Sequence, residues 1–169
     1  NYDVDGIHLD YIRYPGADYC FSPATRSFFE KSVGSPVKDW PAAVRSGGRL
    51  QDEFQRWRAE QITSFVRLAH DEIKAINPKI KLSAAVYSSY PNVIKSIGQN
   101  WGLWLKEGYV DFVCPMNYTT DPSAFSQMCR RQLALPGARG RVYPGLGVTA
   151  DESQLTPDQV IEEINLLRK

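Results

Sequence analysis

Four short stretches of the chain have the pattern of β-strands, and segments of helical periodicity lie between them. The stretches alternate apolar and polar positions or are apolar throughout, and they cover residues 4–10, 80–88, 110–117 and 141–148. From Leu50 to Ile76, apolar residues recur at steps of three and four, which predicts a long amphipathic helix. This alternation of strands and helices predicts an α/β fold with about four parallel strands and helices on the outer face.

The first predicted strand has one apolar face and one polar face. Ile7 and Leu9 point to one side and His8 and Asp10 to the other, because successive side chains of a strand alternate between its faces. In parallel barrels, catalytic groups lie at the C-terminal ends of the strands. We therefore predict that Asp10 is catalytic, with simple loop capping as the alternative. His8 lies deeper and is equally consistent with a substrate contact or a hydrogen-bonded core histidine.

The residues that follow Asp10 are predicted to cover the site. Tyr11, Arg13 and Tyr14 form an aromatic and cationic loop at the end of the strand, and we predict that all three contact the substrate. A long connection, residues 16–49, comes next and is rich in Gly, Pro and Ser. A connection of this length in a compact domain is usually functional or disordered, so we predict a mobile partial lid.

The second and third predicted strands supply further candidates for substrate contact. Tyr87 shares its face with the polar residues of its strand and is expected near the barrel axis. If the even-numbered residues of the third strand point outward, Asn117 points to the axis, where an amide can hold a sugar hydroxyl or orient a carboxylate. Tyr118 follows as another candidate. Trp101 either stacks on a sugar ring at the barrel mouth or is half-buried packing.

Composition narrows the class of protein. The chain has 169 residues, of which 43% are hydrophobic and 23% charged, and its formal net charge is +1. These values are typical of one globular unit and give no charge excess that would favour nucleic acid or an anionic membrane surface. No apolar run approaches the roughly 20 residues that cross a bilayer. We expect neither a nucleic-acid nor a membrane partner.

The sequence contains little that would bind a metal or a cofactor. It has three cysteines and two histidines, scattered along the chain, whereas a zinc site needs about four ligands. No glycine-rich dinucleotide fingerprint, phosphate-binding loop or zinc-protease motif is present. We therefore predict no metal and no cofactor.

Three stretches of the chain resemble the glycoside-hydrolase-like family 10 proteins, a set of bacterial (β/α)8-barrel proteins. The first is D-G-I-H-L-D-Y-I-R-Y-P, which ends at Pro15, and it is similar to the fourth strand of that barrel. The others are W-R-A-E-Q-I-T-S-F-V at residues 57–66 and V-D-F-V-C-P-M-N-Y at residues 110–118. The resemblance implies that residues 1–169 form a single partial barrel domain, the C-terminal half of a TIM-type barrel, with the insertion at 16–49.

The resemblance also implies a function. It suggests a glycosidase that acts on a carbohydrate substrate outside the cytoplasm, in an extracellular or periplasmic location. Asp10 would be the nucleophile or the electrostatic stabiliser of the oxocarbenium-like transition state. Because half a barrel leaves strand edges open, we expect self-association or pairing with a missing N-terminal half.

A glycosidase usually needs a second carboxyl group, which the pattern does not identify. Asp121, Asp151 and Glu152 follow predicted strands and are candidates by position alone, and the acid can equally reside outside this chain. Two further hypotheses therefore stay open. The chain is either a catalytically silent carbohydrate-binding segment or a barrel enzyme of another class, since a fold does not determine a function.

Overall fold

The computed structural model describes residues 3–168 and has a mixed α/β fold. Three strands form one sheet in the order β1-β2-β3, and both neighbouring pairs are parallel. The strands are β1 (Gly6–Leu9), β2 (Lys81–Tyr87) and β3 (Phe112–Met116). The α-helices are α1 (Pro23–Val33), α2 (Gln51–Ile76), α3 (Asn92–Ile97), α4 (Trp101–Glu107), α5 (Pro122–Leu133) and α6 (Pro157–Leu167). The parallel sheet and the long helix agree with the sequence-based prediction.

The fourth predicted strand, residues 141–148, does not form a regular strand. This segment follows β3 in parallel but joins it only through isolated bridges, between Val113 and Val142 and between Met116 and Gly145. Pro144 has no N–H to donate to a ladder, and the glycines beside it weaken extended structure. The prediction of four strands is therefore corrected to a three-stranded sheet with an irregular fourth segment along the β3 edge.

The hydrophobic core lies between the sheet and its helices. Leu82, Ala84 and Val86 are fully buried on one face of β2, as expected for alternating residues of a strand. They pack in one cluster with residues of the helices and connections, including Val66, Val93, Trp101, Trp104 and Leu105. Burying each large apolar side chain contributes about 1.5–3 kcal/mol to folding, so this layer fixes the orientation of the sheet against its helices.

The insertion at residues 16–49 has an ordered core of its own. It contains α1 and a short 3-10 helix, Ala42–Val44, and both pack on the N-terminal part of α2. The Phe29 ring lies 5.1 Å from the Phe54 ring, and the Trp40 ring lies 5.5 Å from it. Phe29 lies on α1 and Trp40 in a turn outside it, so these aromatic anchors of the insertion share no sequence period.

Arg58 fastens the start of the insertion to α2. The residue is 1% exposed, and its guanidinium donates to the carbonyl oxygens of Gly16 and Ala17. The same group lies over the Tyr14 ring, 4.2 Å from its centroid. Although Arg58 is charged, it is buried because the insertion covers that part of the helix.

Candidate functional site

A cavity of about 350 Å³ opens at the C-terminal ends of the three strands. Asp10 follows β1, Tyr87 ends β2 and Met116 ends β3, so each strand delivers one residue to the same opening. The remaining lining residues are Tyr11, Arg13, Tyr118, Thr149, Ala150, Asp151 and Glu152. No residue of the insertion lines this cavity among those described, so the predicted lid does not cover it.

A tight turn places Asp10 and Arg13 at the same cavity. The Asp10 Oδ1 atom accepts a hydrogen bond from the Tyr11 backbone N–H at 2.7 Å. The backbone N–H of Arg13 donates to the Tyr11 carbonyl oxygen, also at 2.7 Å. Tyr11 has a φ of 52°, in the left-handed region. A non-glycine residue there costs about 1–3 kcal/mol, and such strain is concentrated at functional sites.

The Arg13 guanidinium is held against two aromatic rings of the cavity. Its Cζ atom lies 4.3 Å from the centroid of the Tyr11 ring and 4.9 Å from that of the Tyr87 ring. A guanidinium over an aromatic face is attracted by the negative charge density of the ring. These contacts fix the position of a positive charge in a cavity whose other charged groups are carboxylates.

Buried Gln99 connects the two strand ends that carry these residues. Its Oε1 atom accepts from the Tyr87 N–H at 2.9 Å, and its Nε2 atom donates to the carbonyl oxygens of Ile12 and Ala85, both at 3.3 Å. Sequence reasoning did not assign this role. A glutamine directly after Gly98, which ends α3 with a left-handed φ of 79°, is only a weak signal.

A closed loop carries the acidic residues of the opposite wall. The Ser153 hydroxyl donates to the Gly147 carbonyl oxygen at 2.8 Å, which holds together the two ends of the segment that contains Asp151 and Glu152. A Cβ atom on Gly147 would lie 2.9 Å from the Cβ atom of Tyr118 and would also collide with the Ser153 hydroxyl. The close approach that requires a glycine here is therefore made by other groups of the protein.

Asn117 does not face the cavity. In the register, Ala84 pairs with Val113 and Val86 with Pro115, so the odd-numbered residues of β3 join the helix-facing layer. Asn117 is fully buried there, where its Nδ2 atom donates to the Gln132 Oε1 atom at 2.9 Å. The predicted orientation was wrong because both faces of β3 are apolar and alternation alone did not distinguish them.

Trp101 and Tyr14 also lie outside the cavity. Trp101 is fully buried in the core, and its Nε1 atom donates to the Tyr87 carbonyl oxygen at 3.1 Å. Its predicted exposure at the mouth is therefore wrong, and the packing alternative applies. Tyr14 packs against the core and Arg58, and burial raises the pKa of its phenol. Both residues support the strand ends instead of lining the opening.

His8 is on the same face of β1 as Asp10 but one layer deeper. Its Nδ1 atom is joined to the Ser83 hydroxyl by a hydrogen bond of 2.8 Å, across the pair that the register aligns. The residue is exposed and does not line the 350 Å³ cavity. The histidine therefore has one hydrogen-bond partner in the protein but is not a core residue.

Two larger cavities have no carboxyl group without an ion-pair partner among their described lining residues. One of about 480 Å³ lies at the starts of the strands and contains Asp111, whose carboxylate is 2.8 Å from the Lys74 ammonium group and 3.4 Å from that of Lys81. Burial is the largest single influence and opposes the ionisation of Asp111, but the hydrogen bonds from Lys74 and the Leu82 N–H, together with the charges of Lys74 and Lys81, outweigh it and lower the pKa. The other cavity, of about 590 Å³, is lined by residues 88–92 and by α5 and its C-terminal end, and no carboxylate lines it.

Two further findings concern the residues that the structure describes. Between residues 3 and 168, no three His, Cys, Asp or Glu side chains come close enough together to share a metal ion. Over the same residues, no helix combines the length and apolar character required to cross a membrane.

Comparison with known proteins identifies the family. A family model described as Glycosyl hydrolase-like 10 matches residues 1–135. The chain belongs to this family. The match confirms the resemblance found in the sequence, and it includes Asp10, Arg13, Tyr87 and Tyr118 but not the loop that carries Asp151 and Glu152.

One curated relative is an S-layer-related protein of Niallia circulans. It is 34% identical over 116 residues, which covers 60% of this chain and 7% of the relative. The chain thus spans about 7% of the length of that protein. The glycosyl hydrolase-like domain is therefore similar to a small part of a much longer protein.

Proposed function

We propose that this glycosyl hydrolase-like protein hydrolyses glycosidic bonds in a poly- or oligosaccharide within the 350 Å³ cavity. The observation that carries the proposal is that Asp10 lines the cavity together with Asp151 and Glu152. Glycoside hydrolysis usually requires two carboxyl groups on either side of the scissile bond. The loop after the irregular fourth segment thus supplies two candidates for the acid that sequence reasoning could name by position only.

In the proposed reaction, Asp10 acts as the nucleophile or as the electrostatic stabiliser of the positively charged transition state. One of its oxygens accepts from the Tyr11 backbone N–H, which fixes the position of the carboxylate at the cavity. Asp151 or Glu152 gives its proton to the glycosidic oxygen as the bond to the anomeric carbon breaks. Water then adds to that carbon, breaking the bond to Asp10 where Asp10 has acted as the nucleophile, and a proton of this water restores the acid.

The remaining lining residues would position the sugar. Tyr118 and Tyr11 offer aromatic faces that can stack on a sugar ring, and Arg13 offers N–H donors for sugar oxygens. Tyr87 holds Arg13 and also takes part in the lining. The name of the S-layer-related relative supports a further proposal, that the protein acts on glycans outside the cytoplasm.

The test is Asp10→Asn in the full-length protein, with glycan hydrolysis and glycan binding measured on the same samples. We expect hydrolysis to be lost while binding stays largely intact, because the amide keeps the shape but not the charge. Asp71→Asn, at an exposed position of α2, is the matched control. Unchanged hydrolysis by the Asp10→Asn protein would contradict the assignment. Binding without hydrolysis by the parent protein would favour a carbohydrate-binding module.

A further inference from the structure

Arg13 differs from other arginines that the fold partly buries. Arg58 donates to two backbone carbonyl oxygens, and Arg141 donates to three, those of Leu105, Val110 and Asp111. The Arg13 side chain is half-buried, yet among the described residues it has no hydrogen-bond acceptor and no ion-pair partner. Its guanidinium is positioned by the rings of Tyr11 and Tyr87 alone, which leaves its N–H donors unassigned.

The acids of the same cavity do not use these donors. Asp10 directs one oxygen to the Tyr11 N–H and forms no ion pair within the described part of the chain, and neither Asp151 nor Glu152 pairs with Arg13. An arginine that served to hold a protein carboxylate would be paired with it. A planar guanidinium with free edge donors matches the two oxygens of a carboxylate, and such charged, bidentate contacts are among the strongest hydrogen bonds in proteins.

We propose that Arg13 binds the carboxylate of an acidic sugar and thereby makes carboxylate-bearing glycans the preferred ligands of the cavity. The inference rests on the proposed function, because it identifies the substrate class of the same site. The acidic residues of the cavity favour one orientation of such a sugar. Its acid group is attracted to Arg13 and repelled from Asp10 and from whichever of Asp151 and Glu152 does not carry the catalytic proton.

The experiment uses an array of acidic oligosaccharides, each beside its neutral methyl ester, probed with the full-length protein. We expect the parent to bind the acids about tenfold or more tightly than the esters, the range of a charge-assisted hydrogen bond. Arg13→Gln should remove this preference, and Arg13→Lys should retain part of it because it keeps the charge but loses the bidentate fork. Arg67→Gln, at an exposed position of α2, is the control and should keep the full preference.

The folded state of each variant is checked by its circular dichroism spectrum and melting temperature. The proposal is overturned if the parent shows no acid preference, including the case in which it binds neither member of any pair. It is also overturned if folded Arg13→Gln protein keeps the preference. Equal hydrolysis of acids and esters by the parent would reject the role of Arg13 and leave the glycosidase assignment standing. If Arg13→Gln loses the acid preference while Asp10→Asn hydrolyses glycans fully, the role of Arg13 is supported and the glycosidase assignment is rejected.

Discussion

The side-chain oxygen of Gln99 accepts a hydrogen bond from the backbone N–H of Tyr87 at 2.9 Å, where β2 ends. The amide nitrogen of the same side chain donates to the carbonyl oxygen of Ile12, which immediately precedes Arg13. One fully buried amide therefore joins the two chain segments whose aromatic and cationic side chains meet at the cavity. The geometry of the candidate site depends on a residue that does not line it.

Gln99→Leu should destabilise the protein by about 1–3 kcal/mol, because the Tyr87 N–H loses its acceptor and the carbonyl oxygens of Ile12 and Ala85 lose a donor. We expect glycan binding by the folded variant to weaken as well, since Arg13 and Tyr87 are no longer joined through this amide. Urea unfolding measures the first effect and titration with glycan the second. Gln127→Leu, at an exposed position of α5, should change neither quantity. An unaltered urea midpoint for Gln99→Leu would contradict the prediction.

Glu163→Gln should stabilise the protein at neutral pH. Glu163, on α6, is 1% exposed, and neither of its carboxyl oxygens has a hydrogen-bond partner among residues 3–168. Burial, with a smaller contribution from Glu162, raises the pKa of this carboxyl above its ordinary value. The stability that the protonated group contributes is present below its unfolded-state pKa of about 4.3 and is lost as the pH rises through the raised folded-state pKa.

Melting temperatures measured from pH 4 to pH 8 test this sign. The advantage of Glu163→Gln over the parent should be absent near pH 4 and grow with pH, because glutamine stays neutral throughout. Glu162→Gln, its exposed neighbour on α6, should show a much smaller dependence. Parallel curves for Glu163→Gln and the parent would show that the carboxyl does not carry a burial penalty.

Phe29→Ala should loosen the insertion and leave the sheet intact. Phe29 is fully buried and contacts Phe54, Trp57 and Trp40 with ring centroids 5.1, 5.5 and 6.3 Å away. Removing a buried phenylalanine side chain costs about 3–5 kcal/mol, and the missing contacts lie within the insertion and the first turns of α2. Amide hydrogen exchange should therefore accelerate in α1 while β2 stays protected. Phe28→Ala, at an exposed position, is the control.

Asp151→Asn and Glu152→Gln should separate the acid of the proposed reaction from its neighbour. The residue that protonates the leaving group should lower hydrolysis by about 10²–10⁴-fold when replaced, the usual contribution of general acid catalysis. Replacement of the other should have a small effect. Substrates with a good leaving group, such as nitrophenyl glycosides, should be hydrolysed nearly normally by the acid variant because they need little protonation. Full activity of both variants would place the acid elsewhere.

The sequence-based predictions succeeded where a pattern was complete within one element. Leu82, Ala84 and Val86 alternate with smaller or polar residues, so the buried face of β2 followed directly. Asp10 and Arg13 are close in sequence, and a single turn brings both to the cavity, while their roles there stay predictions. These parts of the fold and site depend on local spacing.

The predictions failed where the orientation or contacts of a side chain depend on segments that are distant in the sequence. The face of β3 is set by its register with β2, which places Asn117 against α5, and the apolar run of β3 contains no trace of that register. Gln99 acts on Ile12, a partner distant in the chain. The aromatic core of the insertion arises from Phe29 and Trp40 on separate segments that α2 brings together.

The hydrogen bond from the Ser153 hydroxyl to the Gly147 carbonyl oxygen has a consequence for the stereochemistry of the proposed reaction. Asp10 is attached to the end of a sheet strand, whereas Asp151 and Glu152 are carried by a loop that this one hydrogen bond closes. In glycosidases, the separation of the two carboxyl groups determines whether the anomeric configuration is retained or inverted. That separation is determined here by the length of a surface loop, so a related protein can exchange one outcome for the other without any change in its sheet.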